Sequence, residues 1–491
     1  MTSTAPPEYP DQIDGAVLKV AGVVVLGAIM SILDITVVSV ALPTFQTVFD
    51  ATYATVAWTM TAYTLALATV IPMTGWAADR FGTKRLYIAA LVLFTAGSVL
   101  CAAATSIEML VAFRVLQGLG GGMLMPLGMT IMTRAAGPQR IGRLMAVLGI
   151  PMMLGPIMGP ILGGYLIDIA SWHWIFLINL PIGIVAMVYA LRVLPADEPS
   201  ESESFDFVGM LMLSPGLAAF LFGVSSIAEG GEGASFGPRV WVSIVIGALL
   251  IVAFVNHALR TSKPLIDLRL FRNRNFTVAS ISMFVFVIAF MGAGLLFPSY
   301  FLQVRGETTL MAGLLIAPQG IGAMLTMPIA GVLADKVPVG RTVPFALGLM
   351  AFGFFGFTQV EADTSYWVLC GSLFVMGLGM GGTMMPIMTS ALRTLTNHEV
   401  ARGSTMINIV QQIGGSIGTA VLAMVLTNQL TSAPERPVDP LEFMADGFAT
   451  TFTVALGLVL LALVPVMFLP RRREPSNLLA DSGDTPPVMV H

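Results

Sequence analysis

Charge is scarce in this chain. Of its 491 residues only 11% are Asp, Glu, Lys or Arg, while 56% are hydrophobic; a soluble domain carries about 25% charged residues. The shortage excludes a soluble globular protein and points to a chain that crosses a membrane many times. Cysteine is scarcer still. Cys101 and Cys370 are the two present, both inside apolar segments, which leaves neither a disulfide framework nor a thiolate metal site. The first 16 residues lack the basic region and small-residue cleavage site of a signal peptide, so the first apolar segment is expected to stay as a helix. No Walker motif occurs. The glycines Gly118–Gly122 lie inside an apolar segment and follow no strand, so they do not make a phosphate loop. An ATP-driven pump and a nucleotide partner are therefore not expected. No nucleophile–base pair or metal-ligand cluster stands out, so the chain reads as a non-enzyme with no cofactor. No nucleic-acid partner is expected either.

What the chain does have is long apolar runs. Fourteen are long enough for a bilayer-crossing helix, which needs roughly 20 residues: 17–42, 55–77, 86–104, 109–133, 141–167, 172–194, 207–228, 239–260, 276–302, 309–333, 342–360, 366–391, 404–427 and 447–469. An even number puts both termini on one side. Of the 24 Lys and Arg, all but Arg114, Arg239, Arg305 and Arg436 then collect on the side of the termini. That bias makes the side cytoplasmic.

The chain also repeats itself. Gly75–Arg85 (GWAADRFGTKR) returns, worn, as Gly331–Arg341 (GVLADKVPVGR). Gly118, Gly120 and Pro126 match Gly377, Gly379 and Pro386, and Gly155–Gly159 matches Gly414–Gly418 at nearly the same offset. Two parallel copies in a membrane chain mark a two-bundle transporter. The expected organisation is a six-helix bundle in 1–195, a cytoplasmic linker in 196–206, an inserted helix pair in 207–260, a second six-helix bundle in 261–470 and a disordered tail in 471–491. The all-α polytopic fold follows from this pattern.

Two charges stand where charge is expensive. Asp34 lies nine residues before Pro43 in the first segment, about 13 Å along a helix. An ionisable residue at such depth is functional by default, because an unpaired buried charge costs several kcal/mol. Burial favours the neutral acid of a carboxyl group, and a nearby cation favours its charged form. Arg114 is the natural cation, six residues beyond Glu108 in the fourth segment. A pair whose separation changes would couple proton binding to motion; a static pair would only hold two helices together. In the second copy Ala289 stands opposite Asp34, so a proton site belongs to the first copy alone.

These residues sit in a set of motifs that resembles the 14-helix drug:proton antiporters of the major facilitator superfamily, the EmrB/QacA-like branch. Leu33–Pro43 (LDITVVSVALP) looks like its first-helix motif, with Ser39 for the usual Asn. Gly75–Arg85 resembles the superfamily's loop 2–3 motif, with Ala77 and Thr83 as departures. Arg114–Gly118 (RVLQG), Gly149–Gly164 (GIPMMLGPIMGPILGG), Trp172–Gly183, with His173 where Arg is common, and Gln412–Ala420 resemble the motifs of the fourth, fifth, sixth and thirteenth helices. The resemblance covers nearly the whole chain, in order.

The resemblance implies a major facilitator fold and a proton-coupled exporter in the bacterial cytoplasmic membrane. Asp34 and Arg114 would couple the proton. Asp79, Arg80, Lys84 and Arg85, with Asp335 and Arg341 in the second copy, would latch the cytoplasmic side. Gly149, Gly155, Pro156, Gly159 and Gly163 would pack a leak-proof interface between the two units. Trp58, Tyr63, Gln117, Asn179, Gln411 and Gln412 are candidates for the substrate cavity. The substrate is expected to be small and lipophilic, with cations among the candidates, and the protein a monomer in the lipid bilayer. Two alternatives stay open: a dedicated exporter of a native metabolite, antibiotic or lipid, and a membrane sensor or scaffold that does not transport.

Overall fold

The computed structural model describes residues 15–136, 140–196, 205–229, 237–396, 399–431 and 439–472. Most of the expected linker and tail, with Arg436 and Arg473, lie outside the described residues. Among the described residues the regular structure is helical. That follows from the solvent: lipid offers the backbone no hydrogen bonds, so each crossing must satisfy its own.

The first unit comprises α1 (Gly15–Val48), α2 (Tyr53–Phe81), α3 (Thr83–Ala102), α4 (Ile107–Ala136), α5 (Ile141–Ile169), α6 (Trp174–Leu177) and α7 (Asn179–Val193). Next come α8 (Phe207–Glu229) and α9 (Pro238–Arg260). The second unit comprises α10 (Arg274–Gln303), α11 (Thr309–Lys336), α12 (Val339–Phe357), α13 (Tyr366–Gly381), α14 (Met384–Arg393), α15 (Val400–Thr431) and α16 (Pro440–Val466). Taken as single crossings, α6 with α7 and α13 with α14 bring the spans long and apolar enough for a membrane to 13. The remaining expected crossing, 141–167, falls on the 29-residue α5.

Sequence reading and structure differ at some ends. Pro43 was expected to close the first helix, yet α1 runs through it to Val48. A proline removes one backbone donor, and neighbouring helices in a membrane bundle can absorb that loss. The sixth crossing is broken at Ile178 and the twelfth at Gly382–Thr383. Between α2 and α3 the turn is Gly82 alone, at φ 89°, a backbone shape that a side chain would strain. That glycine lies in the first copy of the loop motif; Pro338 stands in its place in the second.

Within each unit the helices pack on one another, and α8 and α9 pack together. The inserted α8 touches α2 of the first unit and α15 of the second. Ser214 on α8 donates to the Thr69 carbonyl of α2 at 2.7 Å. Helix α8 of the inserted pair therefore bridges the seam between the two units.

Candidate functional site

Asp34 sits on the inner face of α1, buried. Helix α4 offers it Arg114 and Gln117, three residues apart and so on one face. Arg114 Nη1 donates to Asp34 Oδ2, and both side chains are fully withdrawn from solvent. Gln117 Nε2 donates to Asp34 Oδ1 at 2.7 Å, while Gln117 Oε1 accepts from Arg114 Nη1 at 2.7 Å. The three groups close a ring.

The ring is held from outside. Arg114 Nε donates to the Thr59 carbonyl of α2 at 2.9 Å, and its guanidinium lies 4.1 Å from the centre of the Tyr63 ring. The Tyr63 hydroxyl lies 3.4 Å from Ser31 Oγ on α1. On α3, Ser98 Oγ accepts from Gln117 at 2.8 Å and from Asn179 at 2.9 Å, and donates to the Phe176 carbonyl at 3.2 Å. Four long helices and the broken sixth crossing thus converge on one carboxylate. One donor remains: Arg114 Nη2 is buried with no hydrogen-bond partner among the described residues. In the second unit the expected counterpart, Ala289, is buried and apolar.

A second set of charges crosses between the units at the end where the Lys- and Arg-rich loops lie. Asp79 at the end of α2 pairs with Arg402 of α15 at 3.6 Å and with Arg134 of α4 at 3.9 Å. Asp335 at the end of α11 accepts from the backbone N–H groups of Gly142 at 2.9 Å and Arg143 at 3.3 Å, and pairs with the Arg143 side chain at 3.4 Å. An acid at a helix N-terminus also meets the positive end of its dipole. Beneath these pairs the backbones nearly touch. A Cβ on Gly142 would lie 2.5 Å from the Gly331 carbonyl oxygen.

The Major Facilitator Superfamily model matches residues 24–419. The chain belongs to the major facilitator superfamily. It is 46% identical over 499 aligned positions to a multidrug resistance protein B homolog of Mycobacterium tuberculosis, covering 95% of this chain and 92% of that one. It is 30% identical to the multidrug export protein EmrB of Escherichia coli, covering 85% and 82%. These relatives place it in the EmrB-like branch that the motifs resemble. The proton:xylose symporter XylE, as a double Trp mutant, superposes with a TM-score of 0.64 at 15% identity over 94% of this chain and 97% of that one. The human transporter MFSD10 superposes at 0.60 with 17% identity, over 93% and 100%. Those two likenesses support the fold alone.

Within this facilitator fold several expected site residues take other places. Tyr63, Gln117 and Asn179, expected at a substrate cavity, here form the polar shell of the Asp34–Arg114 pair, as a buried charge pair needs polar partners. Trp58 stacks on Phe222 of α8, ring centres 5.6 Å apart, and so faces the inserted pair. Gln411 and Gln412 are half-buried on α15, and Gln411 Nε2 is buried without a partner among the described residues.

The glycines of α5 divide. Gly149 meets Met327 and Met385 of the second unit, with a Cβ there only 2.7 Å from the Met327 sulfur. Gly155, Gly159 and Gly163 instead meet Ile32, Thr36 and Val37 of α1, although the run was expected to lie between units. One helix face cannot serve both: α5 turns from the seam to α1 along its length. The side chain of Pro156 lies outside the described residues. Thr36 Oγ1 donates to the Gly155 carbonyl at 3.2 Å, two residues from Asp34.

In the loop motif, Lys84 binds within its own unit. Its Nζ donates to the carbonyls of Leu191 at 3.0 Å and Leu194 at 2.6 Å, closing the end of α7. Arg80 and Arg85 are exposed, and Arg341 is exposed at the start of α12 and forms no ion pair among the described residues. Sequence reasoning missed Arg134, Arg143 and Arg402 as partners of the two acids, and Ser98 and Thr59 as supports of the buried pair. Arg114 and Gln117 share a helix face, and that spacing was the available signal for Gln117.

Proposed function

We propose that this facilitator is a proton-coupled exporter of small lipophilic compounds, working by alternating access between two units, 1–195 and 261–470. The observation that carries the reading is the buried ring of Asp34, Arg114 and Gln117. A proton taken up by Asp34 removes the negative partner of Arg114. Breaking such a buried pair costs about 3–5 kcal/mol unless the cation finds another partner. Protonation is therefore tied to movement of α4 against α1, or to entry of water or substrate beside Arg114. Deprotonation restores the ring. One acid in one unit makes the coupling asymmetric.

The ion pairs of Asp79 and Asp335 close the cytoplasmic side in this reading, and their release opens it. The multidrug names of the relatives from Mycobacterium tuberculosis and Escherichia coli support drug export. The paired state of Asp34 leaves no net charge at the site, which favours lipophilic cargo over a fixed requirement for a cation. The protein is proposed to act as a monomer in the bacterial cytoplasmic membrane, with both termini inside.

Expression in a drug-sensitive bacterial host tests this. Ethidium preloaded into the cells should leave faster than from cells without the protein, and an uncoupler that collapses the proton gradient should abolish the difference. Export that survives the uncoupler and stops on ATP depletion would sink the reading.

A further inference from the structure

A cleft of about 780 Å³ opens in the second unit, between the first turn of α10 and the chain that leaves α16. It has no part in the proton site. Arg274, Arg471 and Arg472 line it together with Val464, Met467 and Phe468. All three arginines are exposed, and none belongs to an ion pair among the described residues. The three apolar side chains are each more than half exposed. The cleft thus offers unpaired guanidinium groups beside bare apolar surface, at the level where the helices leave the membrane.

Its walls are built rather than loose. The N–H of Gly340 donates to the Pro470 carbonyl at 3.1 Å, and a Cβ on Gly340 would lie 2.5 Å from the Leu469 carbonyl oxygen. Leu469 itself is buried. These contacts pin the segment before Arg471 against the start of α12. On the other wall, Asn273 caps α10 through the N–H of Asn275 at 3.0 Å and donates to the Thr394 carbonyl at 3.3 Å.

We propose that this cleft binds the headgroup of an anionic phospholipid from the leaflet at the basic end. Guanidinium groups match phosphate oxygens in pairs, and basic pockets at this membrane depth recognise anionic headgroups. The exposed Val464, Met467 and Phe468 take the glycerol and upper acyl chains. Setting the topology needs basic residues near the last helix. It does not need three of them around a cleft with an apolar floor.

Native mass spectrometry of the full-length protein in detergent tests the proposal. The protein is titrated with phosphatidylglycerol or phosphatidylcholine of matched acyl chains. Phosphatidylglycerol should bind about fivefold better or more, and R274Q/R471Q/R472Q should lose that preference. Inorganic phosphate in excess should not compete. Equal binding of the two lipids, or an unchanged preference in the triple Gln variant, overturns the site. Competition by inorganic phosphate makes a free anion the occupant and overturns the lipid. A preference seen only after E474Q/D481N/D484N makes the acidic tail the occupant. If the triple Gln variant does not purify as a single species, R274Q and R472Q are read singly, each with an expected loss of about twofold or more; no loss in either overturns the proposal.

Discussion

Asp34 and Arg114 lie 80 residues apart in the chain and form an ion pair from which solvent is wholly excluded. Each helix carries one otherwise intolerable charge, and each charge makes the other tolerable. Gln117 satisfies what the pair leaves over on one side, and Tyr63 covers the guanidinium face. Arg114 Nη2 has no such partner among the described residues. The arrangement is tight but incompletely satisfied, which fits the proposed role of a pair that separates during transport.

The close approach of α1 and α5 beside Asp34 should be sensitive to one methyl group. A Cβ on Gly159 would lie 2.0 Å from Thr36 Oγ1 and 3.1 Å from the Thr36 backbone carbon. Overpacking of this kind costs about 1–3 kcal/mol. Gly159→Ala is expected to cut the export rate about tenfold, because 1.4 kcal/mol is a factor of ten. Gly164→Ala, on the same helix with nothing within 4 Å, is expected to export like wild type. Rates measured at matched membrane expression decide it; equal rates for the two variants would contradict the packing argument.

Asp335 should hold the units together at the basic end. It is buried, and it accepts two backbone N–H groups as well as pairing with Arg143. Leaving such donors unpaired costs about 1–3 kcal/mol. Asp335→Ala is expected to open this end. A cysteine placed at Thr405, buried where α15 meets Gly75, should then react with a maleimide added from that side about tenfold faster. Unchanged labelling would remove Asp335 from the latch.

The inserted helices should respond to acid through Asp206. Burial opposes its charge, but the N–H groups of Gly209 at 2.8 Å and Leu265 at 3.0 Å and His257 Nε2 at 2.8 Å outweigh it and hold the carboxyl below its ordinary value of 3.8. A lowered folded value stabilises fully above the unfolded one and fades as pH falls through the folded one. Asp206→Asn is therefore expected to melt lower than wild type at pH 7, by about 2 °C or less in a chain this long. The two should converge below pH 3.8. A gap that persists unchanged at pH 3 would argue against the carboxylate as its source.

Much of this was readable in the residues, and the remainder fails for physical reasons. The crossings were legible because lipid demands long apolar helices, and Asp34 and Arg114 because charge is rare inside them. The end of α1 was not, since Pro43 ends helices in water but not against neighbouring helices. Asp79 and Asp335 stood out in the repeated loop motif. Their partners did not: Arg143 is 192 residues from Asp335, and Arg402 is one arginine among many at the basic end. Trp58 looked like a cavity residue because an aromatic ring on α2 can face substrate, lipid or a helix. Only the packing of α8 shows which.

The coupling of proton to cargo through Asp34 is tested most directly in proteoliposomes with an acidic lumen, following ethidium uptake and lumenal pH together. Wild type is predicted to accumulate dye while the lumen turns alkaline, and Asp34→Asn to lose both signals while keeping its folded, monodisperse state. Dye uptake with proton efflux undiminished in Asp34→Asn would contradict the account and move the coupling to another residue.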